Sequence, residues 1–285
     1  MKKKILFLLI FVSISGLSFG QNRVYKVMTY NIWYAKPDAG ENIWENRRDG
    51  VAKAVLDHKA DIVGMQEVLF RQVADLEKLL PDYNWVGVGR DDGKQGGEFA
   101  PIFFEKDHFS PVRSGNFWLS ETPDSAGSLG WDAICIRIAT WVQLKDKNSG
   151  LEFFVFNTHF DHEGETARLE SSKLLIKKIS EIAGDLPVVL TGDFNCLKGS
   201  QPYNLLIKSL DGLKMVDCRY STIEKPSGPD YSFVGSEFTG EPGNIIDHIF
   251  ISDNIKVHQS KIVQIEVTQK KRYDQVWDLE GGGGI

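Results

Sequence analysis

Val188-Val189-Leu190-Thr191-Gly192-Asp193-Phe194-Asn195 is an apolar, β-branched run that ends in a carboxylate and an amide two residues apart. Bounded by Pro187 and Gly192, it reads as a buried strand. If strand geometry persists, Asp193 and Asn195 point to the same side. A buried strand that delivers such side chains to its tip is a recurrent way to build a site on an α/β scaffold. Gly, Asp and Asn are also ordinary turn residues. This stretch alone therefore leaves two readings open, a site or a turn.

Working outward, other apolar runs end in the same kind of residue. Residues 24–30 lead into Asn31, and 61–65 lead into Gln66 and Glu67. Glu98 opens the run 99–104. A hairpin of 134–144 and 151–157 ends at Thr158-His159, and a strand over 244–252 contains Asp247. Residues 83–88 and 112–119 are further strand candidates. Apolar residues at helical spacing predict amphipathic helices over 47–58, 70–80 and 163–183, with a short helix over 202–210. Strands that alternate with helices in places and form hairpins in others predict an α/β domain with mixed sheets.

Asn31, Glu67, Glu98, His159, Asp193, Asn195 and Asp247 thus lie at or within apolar β runs. One such residue would be noise, but seven are hard to assign to turn chemistry. Oxygen donors with one histidine suit Mg²⁺, Mn²⁺ or Ca²⁺ better than Zn²⁺.

The 285 residues suffice for one large domain. Lys2-Lys3-Lys4 followed by the apolar run 5–12 and a small, polar stretch to Gly20 reads as a secretory signal peptide over 1–20. The apolar run is too short for the roughly 20 residues of a membrane span. The expectation is an extracytoplasmic domain over 22–279 with a flexible tail over 280–285. Net charge is −6 with the three leader lysines counted, which weighs against a generic nucleic-acid binder. Cys135, Cys196 and Cys218 form neither a disulfide framework nor a zinc pattern.

Six blocks, in order, resemble the endonuclease/exonuclease/phosphatase superfamily. They are Met28-Thr29-Tyr30-Asn31-Ile32, Gln66-Glu67-Val68, Gly97-Glu98-Phe99, Asn157-Thr158-His159, Thr191-Gly192-Asp193-Phe194-Asn195 and Ile246-Asp247-His248-Ile249-Phe250. The resemblance implies a four-layer α/β/β/α sandwich, two mixed sheets face to face with helices outside. It implies a divalent metal, Mg²⁺ first, on Glu67 with Asn31 and Asp193 nearby. It further implies that Glu98 orients His159 against the scissile phosphate, that Asp193 and Asn195 position or deprotonate the attacking water, and that Asp247 holds a second histidine. Arg90, Arg137 and Asn157 are the weaker candidates for phosphate contact. Arg137 interrupts an apolar run, and a buried arginine needs an anionic partner.

The C terminus departs from the pattern. Such proteins end in a Ser-Asp-His block, whereas here residues 270–279 read KKRYDQVWDL. Either Asp274-Gln275 takes that place, or the block is absent. His248 follows Asp247 directly, so the two face opposite ways and His248 reads as a structural histidine. The expected activity is metal-dependent hydrolysis of a phosphodiester or phosphomonoester by in-line water attack. A nuclease and a non-catalytic binder of phosphorylated ligands are the alternatives, and no protein partner is indicated.

Overall fold

The computed structural model of the chain describes residues 5–15, 24–208, 213–233 and 244–267. The elements run in the order β1 (Ile5–Ser15), β2 (Val24–Asn31), α1 (Trp44–Asp57), β3 (Ile62–Gln66), β4 (Val68–Leu69) and α2 (Phe70–Leu79). There follow β5 (Tyr83–Val86), β6 (Glu98–Phe99), β7 (Ile102–Glu105), β8 (Phe109–Trp118), β9 (Ile138–Asp146) and β10 (Glu152–His159). The chain continues through α3 (Glu165–Ala183), β11 (Val188–Asp193), α4 (Gln201–Leu206), β12 (Met215–Asp217), β13 (Asp247–Ser252) and β14 (Lys256–Val267).

Two six-stranded sheets result. The first has the order β14-β1-β2-β3-β7-β5, and the second β12-β13-β11-β10-β9-β8. Each is antiparallel except for one central parallel pair, β2 with β3 and β10 with β11. The architecture is the expected α/β sandwich. One apolar cluster fills the space between the sheets, with Ile62, Phe104, Val155, Val189 and Ile251 among its members. A second lies under α1 and α2, and a third under α3 and α4. All three are continuous rather than alternating in the central strands, because those strands are covered on both faces.

At one point the sheets are joined by polar groups. Asn157 is fully buried. Its amide donates to the carbonyls of Met65 (2.6 Å) and Pro101 (3.0 Å), and its oxygen accepts from Gln66 Nε2 (2.7 Å) and Thr191 Oγ1 (3.0 Å). Gly64 faces this knot, where a Cβ would meet Thr191 Oγ1 at 2.0 Å. The expectation that Asn157 contacts phosphate is therefore corrected. With every hydrogen-bonding capacity used inside the core, its side chain is a bolt between the sheets.

Two expectations on the termini meet the structure only in part. Residues 5–15, read as part of a leader, are paired here along β14 and along β2. The cleavage region, the 270–279 stretch and the 280–285 tail lie outside the described residues. Lys256–Val267 is a strand that the sequence reading did not anticipate, although Val257, Ile262, Val263 and Ile265 are buried there. Among the described residues no helix is long and apolar enough to cross a membrane. The three cysteines are free thiols, with Cys196 and Cys218 buried.

Candidate active site

Three of the expected residues form a row across the second sheet. His159 ends β10 and is paired in register with Asp193 at the end of β11, which in turn faces Asp247 at the start of β13. Residues paired in register project to the same face, so one imidazole and two carboxyls stand side by side. His159 Nε2 lies 3.6 Å from Asp193 Oδ2.

The first sheet supplies the other half. Asn31 ends β2, and Glu67 follows β3. The Asn31 amide nitrogen donates to Glu67 Oε1 (2.8 Å) and to Asp193 Oδ2 (3.1 Å), bridging the sheets. Its oxygen accepts from the Trp33 backbone N–H at 3.0 Å. Asn31 thus enters as the amide that links two carboxylates. Glu67 Oε2 accepts from the Tyr34 N–H at 3.3 Å.

Loops around these tips are held in costly conformations. Trp33, Glu67 and Asn195 have φ of 56°, 60° and 46°, in the left-handed region that non-glycine residues rarely occupy. Strain of this kind persists where surroundings over-determine the backbone. The Arg47 guanidinium provides that for Trp33, donating to the carbonyls of Ile32 (2.6 Å), Trp33 (3.0 Å) and Asn42 (2.7 Å). Gln72 assists, accepting from the Ala35 N–H and donating to the Trp33 carbonyl. For Asn195 the backbone N–H donates to Asp193 Oδ1 (3.1 Å) and the amide to the Phe160 carbonyl (3.0 Å).

Glu67, Arg90, Glu98, Phe99, Ala100, Arg137, Ile138 and His159 line one narrow cavity. Here the implied pairing of Glu98 with His159 does not appear. Glu98 instead takes Arg90 at 2.7 Å, and the buried Nδ1 of His159 has no hydrogen-bond partner. The guanidinium offers Glu98 a charge that a neutral imidazole lacks. Arg137 is 4% exposed and reaches Asp161 (3.5 Å) and His162 Nδ1 (2.9 Å). An arginine can only donate, so His162 Nδ1 presents its lone pair. Asp161 is itself pinned by the N–H groups of Cys135, Glu163 and Gly164. With all its acceptor positions in use, it braces Arg137 and is closed to a metal, although Cys135, Asp161 and His162 converge.

Crowding shifts the proton equilibria. Burial pushes the Asp193 carboxyl up to about 6, Glu67 adding to the effect against hydrogen bonds from Asn31 and Asn195. Burial, then Asp193, holds Asp247 well above the usual carboxylate range. Glu98 is also raised by burial, with Arg90 opposing. Burial, then Arg137 and Arg90, keeps His159 neutral. Three carboxyls with raised proton affinity, Asp193, Asp247 and Glu98, crowded around Glu67, suit a bound cation. The oxygen-rich donor set of Glu67 and Asp193 fits a hard divalent ion.

A larger groove of about 390 Å³ lies elsewhere, between α4 and β12, walled by Lys198, Lys214 and Tyr220 among others. It contains none of Glu67, Glu98, His159 or Asp193, so the chemistry belongs to the smaller opening. Sequence reading missed Arg47, Gln66 and Gln72 as parts of the site's support. Arg47 carried a signal, since it stands four residues before Val51 on the apolar face of α1.

The sequence model described as the endonuclease/exonuclease/phosphatase family matches residues 28–267. An endonuclease/exonuclease/phosphatase from Bacteroides vulgatus is 41% identical, with 91% of each chain covered and a TM-score of 0.78. A mannosyl-6-phosphatase from Bacteroides thetaiotaomicron is 38% identical, covering 82% of this chain and 87% of its own, at a TM-score of 0.76. Drosophila melanogaster Nocturnin is 26% identical over 165 residues. An uncharacterised protein of Acanthamoeba polyphaga mimivirus is 31% identical over 161 residues. The alignments span 59% of the length of the viral protein and 24% of Nocturnin.

Proposed function

We propose that this chain, which belongs to the endonuclease/exonuclease/phosphatase family, is a divalent-metal-dependent hydrolase of phosphomonoesters, with phosphorylated sugars as its first substrate class. Family members act on phosphoester bonds and generally use a divalent metal. One observation carries the choice of a monoester. Two guanidiniums, Arg90 and Arg137, face the same narrow cavity as His159 and Glu67. A terminal phosphate carries more charge and more free oxygens than a diester, and arginine pairs match that geometry. The likeness to a mannosyl-6-phosphatase supports the sugar. The acidic net charge weighs against a nucleic-acid backbone.

Glu67 and Asp193 are the residues that would hold the ion, whose charge offsets that developing on phosphate oxygens. Arg137 binds a nonbridging oxygen and is kept in place by Asp161. Neutral His159 directs an N–H toward the phosphate. Asn195 and Asp193 orient the attacking water, with Asp193 able to accept its proton near neutral pH. Asp247 stands in register beside Asp193, and burial together with the Asp193 charge holds its own carboxyl well above the usual range.

The proposal includes a location outside the cytoplasm, supported by the Lys2-Lys3-Lys4 and apolar pattern at the start of the chain. Cell fractionation with N-terminal sequencing tests it. The activity is tested by incubating the purified chain with sugar 6-phosphates, bis-p-nitrophenyl phosphate and oligoadenylate, with Mg²⁺ or with chelator. Metal-dependent phosphate release from the sugar phosphate supports the reading. Turnover of the diester or RNA alone overturns it in favour of a nuclease. Calorimetric binding without any product overturns it in favour of a binding protein.

A further inference from the structure

Behind the loop that carries Asp193 and Asn195 lies a buried polar group that the proposed reaction does not use. His248, on β13, is 2% exposed and its neighbour Asp217, at the end of β12, is 3% exposed. His248 Nδ1 lies 3.0 Å from Asp217 Oδ2, and Nε2 lies 3.1 Å from the backbone oxygen of Cys196. Asp217 also accepts from the Tyr203 hydroxyl (3.0 Å) and from the Arg219 N–H (2.8 Å). Tyr203, Phe194 and Phe250 pack around the ring with centroids 5.2, 6.1 and 5.5 Å away.

Hydrogen-bond chemistry fixes the tautomer. A carbonyl oxygen can only accept, so Nε2 must carry a proton. Nδ1 faces Asp217 Oδ2, which also accepts from the Tyr203 hydroxyl. The result is a rigid strut from β12 through the ring to the Cys196 carbonyl. Cys196 directly follows Asn195, whose left-handed backbone sets where its amide points. The near end of the same turn is tied by the Phe194 N–H to the Ile246 carbonyl at 2.9 Å. The turn is therefore anchored at both ends, by backbone at the near end and by the His248 side chain at the far end, with the bonds of Asn195 to Asp193 and to the Phe160 carbonyl between them.

We propose that His248, held by Asp217, is a positioning residue that sets the orientation of Asn195 over the reacting phosphate through its Nε2–H bond to Cys196. This rests on the phosphoesterase reading. The ring itself faces away from the cavity and touches no substrate. Its loss would displace the water-orienting amide while leaving the arginines and the metal-binding carboxylates in place.

His248→Phe keeps the ring and the stacking but removes both ring nitrogens, and His248→Gln restores one donor. The expected result for H248F is a kcat about 10- to 100-fold lower, as for misplaced supporting groups, with KM within about threefold, since phosphate contacts remain. H248Q should regain most of kcat. In the unsubstituted chain the ring nitrogen spectrum should show a protonated Nε2. A folded H248F with unchanged kcat, or an Nε2 without its proton, overturns the proposal. Should H248F not fold, the ring spectrum and H248Q decide, and H248Q with a kcat 10-fold down or more overturns it. Absence of any phosphoester turnover in the unsubstituted chain would refute the reaction and, with it, the catalytic part of the proposal. The Nε2 proton would still report on the strut.

Discussion

His159 and Asp193 end adjacent parallel strands in exact lateral register, and their side chains stand 3.6 Å apart. Burial, the largest cause for both, holds the imidazole neutral and raises the proton affinity of the carboxyl. His159→Ala and Asp193→Asn should each lower kcat/KM by about 10²- to 10⁴-fold. Both should keep the fold, as judged by circular dichroism.

Asp193 also carries a stability cost. Its folded value of about 6 lies above the unfolded value of about 3.9. The folded state therefore binds more protons between these values, and stability falls as pH rises through that window. In metal-free protein at pH 7, Asp193→Asn should melt at a higher temperature than the unsubstituted chain, and the gap should close below about pH 4. An unchanged melting temperature at pH 7 would count against the burial argument.

Asp161 acts in the opposite sense. Burial alone would raise its carboxyl, but the N–H groups of Gly164, Glu163 and Cys135, with Arg137, hold it down at about 2. The folded value lies below the unfolded one, so its stabilisation is complete above about pH 4 and is lost as pH falls toward 2. The difference is worth about 2.5 kcal/mol. Asp161→Asn should lose that amount at pH 7 in denaturant titrations and flatten the acid limb of stability.

Arg137 reports on the substrate. Removal of a charge-assisted hydrogen bond to phosphate costs about 1.5–3 kcal/mol. Arg137→Gln should therefore lower kcat/KM about 10- to 100-fold for a monoester, and less for a diester. Arg137→Lys should recover only part, since a point charge cannot reproduce the planar fork. Equal losses on both ester types would remove the argument for a terminal phosphate.

Residues 5–15 cannot serve as a strand and be removed as a leader in the same molecule. A chain beginning at residue 21 leaves β2 and β14 without their shared partner. Exposed strand edges of this kind promote association. The shortened chain should melt at a lower temperature and show more self-association in sedimentation than the full chain. Equal behaviour would show that β1 adds nothing to the folded state.

Much of the site was legible because each residue sits where an apolar run stops. The breaks at Asn31, Glu67, His159 and Asp193 are visible in single-sequence patterning, and a strand tip is where such breaks fall. Partnerships were less visible. That Glu98 takes Arg90 depends on how residues 89–97 fold back, a matter of loop geometry rather than period. Asn157 enters the site reading through the Asn157-Thr158-His159 block, and at two positions before His159 it shares that residue's face of the strand. Only the three-dimensional path shows that this face is still inside the sandwich at 157 and has reached the rim at 159. The strand over Lys256–Val267 was missed because polar residues break its alternation.

The Asn157 knot has a mechanical meaning for what happens at the rim. Each sheet brings half of the reactive set, and the bolt sets the gap between the halves from within. The jaw so formed has a fixed bite. On the phosphoesterase reading, a phosphate group would have to fit the width that this bolt sets.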